Sequence, residues 1–188
     1  MFALRFTSLF LLATSFVSAS PTPLAGLTAV EKRASTADIE TVFNTLKSST
    51  DSILPQITAL VSGGNATDDT VTPLINDLTG ALDTATASLA ALPATTSSKR
   101  QSDDDIANLV AGIITDVTNA LDGLLGTAST IPALGGLLAG VDTSLNQVLI
   151  GLETLLAGVL TLVANLLVDV AGLLKSLALG LTLATLGL

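Results

Sequence analysis

The sequence predicts an all-α fold: an antiparallel helical bundle or loosely packed amphipathic helices, with Gly- and Leu-rich helices toward the C-terminus. Three observations predict it. Apolar residues recur at spacings near 3.6 across several long segments, the period of a helix with one buried face. Composition divides the chain: a Ser-, Thr- and Asp-rich stretch up to Asp105 gives way to a Leu-, Val-, Ala- and Gly-rich stretch over 106–188. Cysteine is absent, so no disulfide framework staples the chain, and its stability has to come from helix packing, assembly or contact with an interface.

Residues 1–19 read as a secretory signal peptide. Arg5 supplies the positive n-region, 6–17 the apolar h-region, and Val17-Ser18-Ala19 satisfies the small-residue rule for cleavage after Ala19. Residues 20–33 form a propeptide-like leader that ends in Glu31-Lys32-Arg33. The pair Lys32-Arg33 resembles a kexin-type processing site, which sets the expected mature N-terminus at Ala34. These two features lead us to expect a secreted, extracellular protein.

Trimmed in this way, the chain keeps Phe43 as its one aromatic residue and has no Cys, His, Trp, Tyr or Met. Lys47, Lys99, Arg100 and Lys175 face fifteen carboxylates, a formal charge of −11. That sign argues against nucleic acid and anionic membrane as partners and favours solubility by self-repulsion. Without His or Cys there is no imidazole base, no thiolate nucleophile and no soft metal ligand. The adjacent carboxylates Asp68-Asp69 and Asp103-Asp104-Asp105 lie on polar segments and lack the spacing and Gly of an EF-hand loop. We therefore expect no enzymatic activity, no cofactor and no metal.

The polar half, 34–92, reads as two helices. The first, about 36–61, carries Ile39, Val42, Phe43, Leu46, Ile53, Ile57, Leu60 and Val61 at helical spacing. Ser35 or Thr36 can cap it, Asp38 and Glu40 suit its positive end, and Pro55 predicts a kink or a split. A Ser62-Gly63-Gly64-Asn65 break follows, and Asn65-Ala66-Thr67 is an N-glycosylation acceptor sequence. The second helix, about 70–92, carries Val71, Leu74, Ile75, Leu78, Leu82, Ala85 and Leu89, with Pro73 in its first turn.

Residues 93–105 read as a linker holding a second dibasic pair, Lys99-Arg100, either another processing site or a hydrated charge pair. Ser102 and the three aspartates after it signal a helix start. The hydrophobic half, 106–188, opens with a helix carrying Ile106, Leu109, Val110, Ile113, Ile114, Val117, Leu121 and Leu124. Within it Asp116-Val-Thr-Asn-Ala-Leu-Asp122 echoes Asp77-Leu-Thr-Gly-Ala-Leu-Asp83, the mark of a duplicated helical hairpin or of chance in a simple composition.

After a Gly- and Pro-containing break over 126–136, the chain is apolar nearly all round. Thr154, Gly158, Thr161, Asn165, Asp169, Gly172 and Ser176 follow at steps of three or four and make one polar and small stripe down a helix. The other faces carry Leu152, Leu156, Val159, Val163, Leu166, Val170, Leu173 and Leu177. Three arrangements satisfy this pattern: a buried helix packed through its small stripe, a helix at an oil–water or air–water boundary, and a membrane helix pair. A membrane span is the least favoured, because the longest uncharged stretch free of Pro and Gly-Gly, 154–168, falls short of the roughly twenty residues required.

The leader ending in Glu31-Lys32-Arg33, the segment Thr50-Asp51-Ser52-Ile53-Leu54-Pro55-Gln56-Ile57 and the split composition carry a resemblance to known proteins. The chain resembles the cysteine-free hyphal wall and adhesion proteins of mushroom-forming fungi and, more weakly, the hydrophobic surface binding protein A family. The resemblance implies a secreted structural amphiphile of the fungal cell wall or hyphal surface that mediates attachment to hydrophobic surfaces and aerial growth. Its partners would be hydrophobic surfaces, cell-wall components or further copies of itself. Alternatives are a surface-binding protein that recruits hydrolases to solids, and a membrane-active or host-directed secreted protein.

Overall fold

A computed structural model describes residues 35–93 and 100–188. Seven helices make up almost all of this: α1 (Thr36–Ser62), α2 (Asp68–Ala90), α3 (Arg100–Leu125), α4 (Leu134–Leu155), α5 (Val159–Leu166), α6 (Ala171–Ser176) and α7 (Gly180–Leu186). Two 3-10 turns, Ala128–Thr130 and Val168–Val170, join α3 to α4 and α5 to α6. The all-α expectation holds throughout the described residues.

Local chemistry accounts for the boundaries. Ser35 and Asp38 form a capping box at the start of α1: the Ser35 hydroxyl accepts the Asp38 N–H at 3.2 Å, and the Asp38 carboxylate accepts the Ser35 N–H at 2.9 Å. Pro55 neither ends nor splits α1. It lies on the exposed side, as does Asp51, whose carbonyl Pro55 deprives of a partner, so water can satisfy that group. α2 begins at Asp68, which puts Pro73 in the second turn rather than the first. The linker is shorter than its composition suggests: α3 starts at Arg100, so Ser102 to Asp105 are already helical.

The two compositional halves share one core. Ile39, Phe43, Leu46 and Ile57 of α1 and Ile75, Leu78, Leu82 and Leu89 of α2 are buried with Ile113, Val117 and Leu121 of α3 and Leu145, Leu149 and Leu152 of α4. Cross-links show the directions. Asp68 meets Ala133, Asp83 meets Ser144 and Leu89 lies against Gly151, so α2 and α4 run parallel. Lys47 meets Asp116, and Val61 lies against Gly123, so α3 runs with α1. The order in space is α3, α1, α2, α4, and the chain closes this row with α5 against α3 and α7 against α4. The echoed heptads bury equivalent residues, Leu78 and Leu82 in α2 and Val117 and Leu121 in α3. A duplicated hairpin would instead match α2 with α4, so the echo does not extend to the architecture.

Beyond α4 the structure departs from the single striped helix that the pattern over 154–176 predicts. Gly158 adopts φ +88°, a left-handed conformation that ends the helical path between α4 and α5. A second break falls at Leu167 before the 3-10 turn, and Ala178 takes φ +58° between α6 and α7. The stripe therefore spans several short pieces. Among the described residues no single helix is long and apolar enough to cross a membrane; 159–166 and 168–176 reach that length together but are bent by 57°.

Candidate apolar interface

Large apolar side chains left in water are the first clue to an interface. Among the described residues these are Ile150, Leu166, Val168, Leu181 and Leu188, all toward the C-terminus. The face expected from periodicity is mostly interior: Leu152, Leu156, Val159, Val163 and Leu177 are buried, Val170 and Leu173 are half-buried, and Leu166 is exposed. The physical reason is the break at Gly158. Once the path bends, the leucines on either side turn into the space between α3 and α4 instead of lining one outer face.

The few charged residues of the hydrophobic half hold this region together. α5 and α7 start at Gly158 and Leu179, neither of which offers a side-chain acceptor to the orphan N–H groups of a first turn. α4 supplies the acceptors. Glu153 takes the N–H of Gly158 at 2.8 Å and that of Leu160 at 3.3 Å. Asp142, itself buried, takes the N–H groups of Leu181 and Thr182, both at 2.9 Å, and the Thr182 hydroxyl at 2.8 Å. The Thr185 hydroxyl donates to Asn146. Asp142, Asn146 and Glu153 lie four and seven residues apart, which puts them on one side of α4. The negative side chains also suit the positive ends of the helices they cap. At the start of α3, Asp103 and Asp104 border a cleft of ≈ 260 Å³ with Ala157, Gly158, Val159 and Leu162.

Other predicted positions behave simply. Asn65 is exposed in the α1–α2 loop, directly after Gly64 at φ +66°. Arg100 is the first residue of α3. Ala19, Lys32, Arg33 and Lys99 lie outside the described residues. Lys47 bonds Asp51 at 3.0 Å and Asp116 at 3.5 Å. The Asp51 hydrogen bond leads in raising its pKa above 10.5; desolvation opposes it, and the charges of Asp51 and Asp116 and the longer Asp116 hydrogen bond add to the rise.

The long helices also border surface grooves. One of ≈ 370 Å³ between α1 and α2 is lined by Thr41, Thr45, Ser49, Thr84 and Ser88, whose hydroxyls donate to carbonyls of their own helices. Among the described residues no three carboxylates converge on a point that could hold a metal ion.

Fold and surface together define a cysteine-free helical bundle with a hydrated side and an apolar C-terminal side. No known family profile matches the chain. Over 73 residues it is 56% identical to fruiting body differentiation protein 16 of Flammulina velutipes, a stretch covering 39% of this chain and 56% of that protein. The similarity fits a basidiomycete fungal protein.

Proposed function

We propose that this protein is a secreted amphiphile of the fungal hyphal surface that attaches to apolar boundaries through its C-terminal side. The observation that carries the reading is that, among the described residues, exposed Ile, Leu and Val are confined to 150–188. Burying a few hundred Å² of such surface yields several kcal/mol at about 25 cal/mol per Å². The acidic helices α1 and α2, with Asn65 between them as a glycan acceptor, stay in water. The signal-like leader supports export, and the name of the Flammulina velutipes relative is compatible with a developmental or cell-surface role.

The test is adsorption of purified protein to Teflon and to an air–water interface, followed by microbalance and surface tension, with neutral lipid vesicles alongside. The expected result is adsorption to both apolar surfaces without vesicle leakage. The triple variant Leu166→Ser, Val168→Ser, Leu181→Ser should bind more weakly. Failure of the unaltered protein to adsorb to either surface defeats the reading; leakage without adsorption replaces it with a membrane-active one.

A further inference from the structure

We propose that residues 157–188 form a hinged wedge that leaves its slot between α3 and α4 at an apolar boundary, so that the adsorbing surface is mainly the wedge's inner faces and the slot walls. The inference rests on the amphiphile reading above and names the surface that does the binding.

The wedge is built to be separable. α1 to α4 are each 22 to 27 residues long, whereas α5, α6 and α7 have 8, 6 and 7. Helices that short are marginal in water without outside support. They pack on α3 and α4, and α4 supplies their polar support: the carboxylates of Asp142 and Glu153 satisfy the first turns of α7 and α5, and Asn146 meets Thr185. Gly158, in a left-handed conformation, marks the hinge between α4 and the wedge.

The wedge is also apolar on both sides. Leu160, Val163, Leu167, Leu174, Leu177 and Leu186 point inward, while Leu166, Val168, Leu181 and Leu188 face water. In water, burial of the inner set holds the wedge shut. Against an apolar phase the same leucines find an equivalent environment outside the core, and that drive no longer distinguishes shut from open. The α4 hydrogen bonds then set how readily it opens. Because α5 and α7 fill the space beside α3 and α4, departure of the wedge uncovers those helices as well.

The absence of cysteine gives a clean lock. Asn146→Cys with Thr185→Cys places a thiol pair at two positions whose side chains already touch across the seam. Adsorption to Teflon is measured for the unaltered protein and for the double variant, oxidised and reduced. The expected result is that the oxidised form adsorbs about tenfold more slowly than the reduced form, as when only an opened fraction is competent. Equal rates would overturn the wedge while leaving the amphiphile reading intact. Failure of the unaltered protein would defeat that reading first.

An independent measurement needs no disulfide. Dyes on Ser48→Cys in α1 and Ala184→Cys in α7, both exposed positions, report their separation by energy transfer. The pair should move apart when the protein adsorbs to Teflon particles, whereas Ser48→Cys with Ala87→Cys, linking α1 to α2, should hold its distance. An unchanged α1–α7 separation on the particles would overturn the proposal.

Discussion

Replacing Asp142 with Ala removes the acceptor for three hydrogen bonds, two from backbone N–H groups and one from the buried Thr182 hydroxyl. Bonds to a charged acceptor contribute about 1.5–3 kcal/mol each, and donors left buried cost about 1–3 kcal/mol. Against that, the variant no longer keeps a carboxylate out of water, a cost of several kcal/mol in its own right. These opposing terms leave a net loss of about 3 kcal/mol. Domains of this kind are stable by about 5–15 kcal/mol, so the variant still folds. At about 2–4 °C per kcal/mol for this size, its melting temperature should drop by roughly 6–12 °C. Asp142→Asn keeps one acceptor oxygen and should lose about half as much. Thr182→Val keeps both backbone bonds and should lose about 1 kcal/mol. Urea titration followed by far-ultraviolet circular dichroism suits a chain without Trp or Tyr. Hydrogen exchange should locate the loss of protection in 180–186 while α1 and α2 keep theirs. An Asp142→Ala protein within about 0.5 kcal/mol of the unaltered one, a tolerance set by the usual scatter of surface substitutions, would refute the capping argument.

Two glycines should respond with opposite signs. Gly80 sits inside α2 with open space around a new Cβ, so Gly80→Ala should raise stability by about 0.5–1 kcal/mol in the same titration. Gly158 also has open space but φ +88°, so Gly158→Ala should lower it by about 1–2 kcal/mol from backbone strain alone. Lys47→Met should cost under about 1 kcal/mol, since its ion pairs are exposed, and the difference should shrink in high salt. Folding raises the pKa of Lys47, so its contribution is complete below pH 10.5 and fades as the pH rises through the folded value; denaturation across pH 9–12 checks that window. Cleavage after Arg100 should leave two fragments that co-elute on gel filtration and separate only in denaturant, because α1 packs on α3 and α2 on α4.

The first three long helices were legible because each carries a full signal in its own residues, whereas α4 was not told apart from the apolar run that follows it. α1 spans Thr36–Ser62 against an expected 36–61, since its capping pair and apolar stripe are local. The pieces after Leu155 were not. A run of Leu and Val that is apolar on every side does not say which side is inward, and nothing near Gly158 specifies the sign of its φ. The caps of α7 sit 39 and 40 residues away in sequence, beyond the reach of any local rule. A faint signal did exist. Asp142, Asn146 and Glu153 share one helical side in a stretch with almost no cations, and the starts at Gly158 and Leu179 lack Ser, Thr, Asp or Asn. Carboxylates without partners and helix starts without caps are complementary deficits, and pairing them points to α4 as the support of α5 and α7.

The amphiphilic character belongs to the sides of the fold rather than to the halves of the sequence. α1 and α2 each have an apolar stripe that needs covering and a polar stripe that needs water. The Leu-rich half has too few polar residues to cover itself, so packing α1 on α3 and α2 on α4 satisfies both deficits at once. That cover is one-sided. Past Leu125 the charged residues are Asp142, Glu153, Asp169 and Lys175, and the first two are occupied capping α7 and α5. Asp169 and Lys175 are left as the exposed charges among Leu166, Val168, Leu181 and Leu188. In the attachment proposed above, a molecule hydrated on the α1–α2 side and sparsely charged on the other takes one favourable orientation at a boundary, with α5 to α7 toward the apolar phase. The segment so placed is the one made of short, externally capped helices. The proposed orientation and the proposed opening therefore share one cause, the scarcity of polar residues, which limits both the charge on that side and the caps its own helix starts can supply.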